Sequence, residues 1–411
     1  MLLNTYALLA IFSAILILAF IYDDFADKIK IPAIILLIAT GVGLKELSIA
    51  VDIRVADLNS LLPTVGTVAL LLIVLEGALE LRIHNRTGSV IQKTALSATA
   101  GIVLTSLSIA FFISLISEES MRQSLISAIP FSIISSAVAI PTVANLARSK
   151  KDFVIYESTL SDIIGIVFFN FMVSNEIIDF NSFAELGGNI LAIIAISFLS
   201  TFALIFALKH LKSKARFTLI ISILVLVYST SKMLHLSALV VVLVFGFILN
   251  NIDKIKIEWF SRNFNYAKQK VDTKTLYSFT TELAFAAKAL MFVLFGFTID
   301  QKEITEVSSI VNGLAIIAIY LIIRYLVLLA LILPKLPNLF IAPKGLITII
   351  LFISIPAKEA IDGISSGTVL VVVIISCAIM PIGFVLSNRN EQKAKDTKDK
   401  ENYNELEVEI I

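Results

Sequence analysis

The sequence predicts an all-α polytopic membrane protein of about thirteen transmembrane helices, arranged as two inverted repeats with two crossing, unwound helices. Three observations predict it. Of 411 residues, 58% are hydrophobic and 16% charged, where soluble domains carry roughly 25% charged residues. The mean hydropathy is +0.94, and the apolar runs approach the ~20 residues that span a bilayer as helix, far longer than β-barrel strands. Finally, the fifth and twelfth runs both contain prolines among small polar residues, which marks interrupted helices in opposite orientations.

The apolar runs are 3–22, 31–47, 61–81, 94–116, 123–147, 153–174, 186–209, 216–233, 235–250, 275–299, 305–333, 339–356 and 364–387. No basic residue precedes the first, so it reads as a span and not as a cleaved signal. The loops after odd-numbered runs up to the eleventh hold twenty Lys and Arg, Lys335 and Lys344 among them, against six in the alternate loops. Positive charge stays on the cytoplasmic side, which predicts an outer N-terminus and a cytoplasmic C-terminus in a plasma (inner) membrane. The expected organisation is a transmembrane domain over 1–387, with repeats of about 1–174 and 186–387. A linker at 251–274, carrying Trp259, reads as an interfacial amphipathic helix, and the polar tail 388–411 as disordered.

Composition excludes several classes. A net charge of +1 offers no nucleic-acid patch. Cys377 is the single cysteine, and His84, His210 and His235 lie scattered near helix ends, so neither disulfide nor metal cluster is expected. No nucleotide-binding P-loop, zinc-protease or serine-hydrolase motif is present. The expectation is a protein that is not an enzyme and carries no cofactor.

The sixth run, FVIYESTLSDIIGIVFFN, holds Glu157 and Asp162. A carboxylate at mid-membrane costs about 2.5–3.5 kcal/mol to insert and by default marks an ion or proton path. At 100° per residue Glu157 shares a face with Ser161, and Asp162 with Ser158. The two carboxylates point about 140° apart, which predicts different neighbours for each. Gly165, one turn beyond, is expected to admit a neighbouring backbone. In the fifth run Pro141 cannot donate to the carbonyl of Ala137, so that turn opens, as a plain proline kink or as unwound backbone, beside Ser132, Ser135 and Ser136. The twelfth run carries Pro343, Gly345, Thr348, Ser354 and Pro356. Lys288 and Arg324 are the basic residues inside the tenth and eleventh runs, and buried charges need partners. Arg324 suits a forked pairing with Glu157, while Lys288 has either a transport role or a carboxylate partner. Glu76 lies a turn inside the cytoplasmic edge of the third run.

These stretches together resemble the monovalent cation:proton antiporter superfamily, near its bacterial and archaeal sodium/proton exchangers, over nearly all the spans. LIVLEGALEL, SSAVAIPTVANL, ESTLSDIIGI, LMFVLFGFTID, Arg324 and PKGLITI carry the likeness. The resemblance implies that Asp162 binds cation and proton alternately. It implies that Ser158 and a main-chain carbonyl at Ser135 help hold the ion, that Glu76 sits near it, and that Glu157 and Arg324 stabilise the core. It also implies a homodimer. Ser161 stands where the family has Asn or a second Asp, which leaves one carboxylate at the paired position and points to one-for-one exchange. Ser136–Ala137 replace Asp-Pro, which removes a charge that would offset a helix end. The expected function is exchange of a monovalent cation (sodium foremost, potassium or lithium next) for protons. The alternative reading is a gated potassium-efflux pathway of channel type.

Overall fold

A computed structural model describes residues 5–29, 32–52, 62–81, 88–143, 148–176, 180–210, 216–234, 236–251 and 273–387. The expected amphipathic linker and polar tail lie almost wholly outside these residues. The described chain is helical: α1 Thr5–Ile29, α2 Ala33–Ala50, α3 Leu62–Glu80, α4 Gly88–Ser117, α5 Met121–Ser132, α6 Ser136–Thr142, α7 Arg148–Ser174, α8 Phe180–His210, α9 Arg216–Met233, α10 Ala238–Asn250, α11 Thr273–Thr298, α12 Gln301–Thr305, α13 Val307–Ala330, α14 Leu346–Ile353 and α15 Ser366–Ala378. Among the described residues, eight helical stretches are long and apolar enough to cross a membrane, and α9 and α10 add shorter apolar helices. The protein is therefore a multi-pass helical membrane protein. In hydrocarbon every backbone polar group must find an internal partner, and helices satisfy that requirement within one segment.

The helices pack in two groups. In one, α11 lies against α2 and α3, while α10 joins α3 to α8 and α9. Glycines set the closest crossing: a Cβ on Gly41 would stand 2.1 Å from the Val293 carbonyl oxygen, and one on Gly296 2.2 Å from that of Ile38. Only hydrogen fits at either position, so α2 and α11 approach backbone to backbone. In the other group, α4 packs on α5, α7 and α13, and α13 packs on α15. The short α14 touches both groups, through α5 and through α3. Large apolar side chains of α1 and α8, such as Phe20 and Leu199, remain exposed, as suits surfaces facing lipid.

Helix ends are held by side chains. Asn250 and Asn251 donate to the carbonyls of Leu79 and Leu81 at the end of α3 (2.7 and 2.8 Å). Arg122 donates to Met172 and Asn175 carbonyls at the end of α7 (2.9 and 3.0 Å) and pairs with the buried Glu359 at 2.8 Å. Beside it the exposed Lys358 meets Glu176 at 2.7 Å, and its ammonium holds the Glu176 carboxyl below its ordinary value.

The break in the fifth run falls elsewhere than the proline predicts. Pro141 lies inside α6, and the extended residues are Ile133–Ser135, upstream. Pro141 costs α6 one donor, but the chain opens where tertiary partners compete for the amides. The twelfth run has its own extended stretch, 341–345, ahead of α14. The loop-charge reading needs one correction. Lys344 is fully buried in that stretch and is no loop residue, because its side chain turns inward to the first break.

Candidate ion site at two chain breaks

Three successive amides leave the α5–α6 ladder for partners on other elements. Ile134 N–H donates to Ser161 Oγ at 2.9 Å, Ser135 N–H to the Pro343 carbonyl at 2.9 Å, and Ser136 N–H to Asp162 Oδ2 at 3.2 Å. The Ile133 carbonyl accepts from Lys344 Nζ at 2.9 Å. Buried main-chain polar groups are almost always paired, and here α7 and the second break do the pairing. The break is therefore as much a property of Ser161, Asp162 and Lys344 as of its own sequence. Two glycines make room for it. A Cβ on Gly165 would lie 2.3 Å from Ile133 Cδ1, and one on Gly345 2.5 Å from Ser135 Oγ. At Gly165 the neighbour is thus a side chain, where the sequence suggested a backbone, because Ile133 turns onto α7 as the helix opens.

Asp162 is 4% exposed. One carboxylate oxygen takes the Ser136 amide, and Oδ1 has no hydrogen-bond partner. Ser135 Oγ and, on α14, Thr348 Oγ1 are likewise buried without partners. An unpaired buried oxygen costs free energy. A buried carboxylate oxygen without a partner suits a small cation or a proton. Ser158 Oγ donates to the Ile155 carbonyl of its own helix at 3.3 Å, which leaves its lone pairs as acceptors.

Glu157 has a separate set of neighbours. Arg324 Nη2 donates to Oε2 at 2.9 Å and Nη1 to Oε1 at 3.3 Å, and Ser97 Oγ reaches Oε1 at 2.6 Å. Arg324 Nε also donates to the Asn338 carbonyl at 2.8 Å. The fork joins α7 to α13 and to the approach of the second break. Ser161, on the Glu157 face, lines a small, mostly apolar cavity whose polar members include Ser97, Ser132 and Arg324. Lys288 Nζ meets Glu76 Oε2 at 3.2 Å, both side chains being partly buried. That pair stands on α11 and α3, apart from the Asp162 hydrogen bonds.

The structure thus brings Asp162, Ser136, Ser135 and Ser161 together at the break, pairs Glu157 with Arg324 and pairs Glu76 with Lys288. The residue missed from sequence is Lys344. Its signal was a lysine between Pro343 and Gly345 in an otherwise apolar run. Among the described residues no three His, Cys, Asp or Glu side chains converge as metal ligands.

The sequence profile of the family described as "Sodium/hydrogen exchanger, transmembrane" matches residues 11–386. Among curated proteins, none matches the sequence. A structure of the sodium proton antiporter MjNhaP1 from Methanocaldococcus jannaschii at pH 8 superposes with a TM-score of 0.69 at 18% identity, over 90% of this chain and 93% of that one. An electron-microscopy structure of MjNhaP1 from the same organism gives 0.70 at 17% identity, over 93% and 96%. At these identities the likeness is one of fold.

Proposed function

Since the chain belongs to the sodium/hydrogen exchanger family of transmembrane proteins, we propose that it exchanges a monovalent cation, sodium foremost, for protons by alternating access at Asp162. The members of this family are transporters and not enzymes, and cation/proton antiport is the activity the family carries. The observation that carries the assignment to Asp162 is its buried, unpartnered Oδ1 next to a broken helix.

A dehydrated cation takes Asp162 Oδ1 and oxygens of Ser135 and Ser158. A proton takes the same carboxylate oxygen, so the two exclude each other. Either one neutralises the carboxylate, and a neutral site is cheaper to carry across hydrocarbon than an empty, charged one. The group built on α4, α5, α7, α13 and α15 then moves against the other helices and opens the site to the opposite side, as in transporters built of inverted repeats. The Glu157–Arg324 fork keeps its partners throughout and braces the moving group. Glu76, held by Lys288, flanks the cytoplasmic approach. With one carboxylate at the site, the exchange is one for one. The chain acts as a homodimer in a plasma (inner) membrane, with its C-terminus cytoplasmic.

The test is cation-driven proton movement in proteoliposomes with an imposed pH gradient. Wild type should dissipate the gradient on adding sodium, and Asp162→Asn should not. Exchange at full rate in Asp162→Asn would overturn the assignment. Potassium flux without proton movement would replace the antiporter with a channel-like pathway.

A further inference from the structure

Among the charged side chains at mid-membrane, Glu157 on α7 pairs with Arg324 on α13, and in the other helical group Glu76 on α3 pairs with Lys288 on α11. Asp162 and Lys344 remain, and they bind the two ends of one short stretch. Asp162 takes the Ser136 amide, and Lys344 takes the Ile133 carbonyl. Lys344 is 0% exposed, and among the described residues no carboxylate pairs with it. Its ammonium sits over the Tyr320 ring, 3.4 Å from the centroid. Its backbone is pinned too, the amide to Ser376 Oγ at 2.9 Å and the carbonyl accepting from Cys377 Sγ at 3.7 Å.

A buried ammonium without a counter-charge weakens a fold, and an apolar side chain of similar length would pack there at lower cost. The fold's stability therefore gives no reason for a lysine at 344. The geometry gives another. The Ile133 carbonyl faces away from the α5 ladder only while a donor waits for it. Its orientation decides where the next three amides point. The Tyr320 ring supplies the cation–π seat that an unpaired ammonium needs.

We propose that Lys344 is a positioning residue for ion binding: by holding the Ile133 carbonyl from its seat on Tyr320, it fixes the break that aims the Ser136 amide at Asp162 and leaves Oδ1 free. The effect on transport rests on the antiporter reading above, but the effect on the break does not.

The test uses full-length protein as wild type, Lys344→Met, Lys344→Gln and Lys344→Arg. Backbone hydrogen exchange is followed on a peptide spanning Ile133–Ala139, with sodium-driven proton movement measured in parallel. In Lys344→Met the amides of Ile134, Ser135 and Ser136 should exchange at least about tenfold faster, the scale of one lost charge-assisted hydrogen bond. The sodium concentration for half-maximal exchange should rise by a similar factor, with the maximal rate within about twofold, the signature of lost ground-state binding. The melting temperature should hold or rise. Lys344→Arg should restore both readouts, and Lys344→Gln, which keeps a donor without charge, should restore the amides in part. Unchanged amide exchange in Lys344→Met overturns the proposal. So does a lowered melting temperature with unchanged half-saturation, which would make Lys344 merely structural. If wild type moves no protons while Lys344→Met still frees the amides, the antiporter reading falls and the positioning of the break stands.

Discussion

Removing the guanidinium of Arg324 tests whether the Glu157 fork holds α7 to α13. In Arg324→Met, Glu157 keeps the Ser97 hydroxyl as its one hydrogen-bond donor among the described residues, at 1% exposure. Stranding one member of a buried ion pair costs about 3–5 kcal/mol. The Asn338 carbonyl, now bonded at 2.8 Å, is stranded as well, for about 1–3 kcal/mol. Allowing for relaxation, Arg324→Met should cost about 4–6 kcal/mol. Glu157→Gln strands the guanidinium and should cost less, because an amide oxygen still accepts. The double variant removes both charges, so its cost should fall short of the sum by about 2–3 kcal/mol. Reversible unfolding in mixed SDS–detergent micelles, followed by circular dichroism, measures all three. A cost below about 1 kcal/mol for Arg324→Met, or additivity within about 0.5 kcal/mol, would refute the reasoning.

Other expectations follow from the same geometry. Ser161→Ala strands the Ile134 amide, which should cost about 1–3 kcal/mol in the same unfolding assay. Gly165→Ala drives a Cβ into Ile133 Cδ1. Cation/proton exchange should fall, and adding Ile133→Ala, which vacates that space, should recover part of it. Gly296→Ala meets a backbone oxygen of α2 at 2.2 Å, which cannot yield by a rotamer change, so it should cost at least the about 1–3 kcal/mol of ordinary overpacking. The Glu176 carboxyl is lowered by Lys358. Its contribution is therefore present at neutral pH and lost as pH falls through that lowered value. Because the pair is fully exposed and screened, melting temperatures of Glu176→Gln and wild type should coincide within error at neutral pH in 0.15 M salt.

The sequence by itself determined that this chain is a multi-pass helical membrane protein. Run length and scarcity of charge decide that without reference to packing, since hydrocarbon admits only helices and closed barrels, and runs near 20 residues are too long for barrel strands. It also determined that Glu157 and Asp162 have different neighbours, because helical periodicity alone sets them on different faces. Arg324 was legible as a partner for Glu157 because a permanent charge in an apolar run must be answered by another. What the tertiary structure decided is where the helix opens. Proline chemistry pointed to Pro141, yet the chain opens at Ile133–Ser135, where Ser161, Pro343 and Asp162 compete for the amides. Those competitors lie about 25 to 210 residues away in sequence, so no local rule could weigh them. Lys344 went unread for the same reason. Beside Pro343 and Gly345 it looks like a loop cation, and only the docking of one break against the other turns it inward to the Ile133 carbonyl.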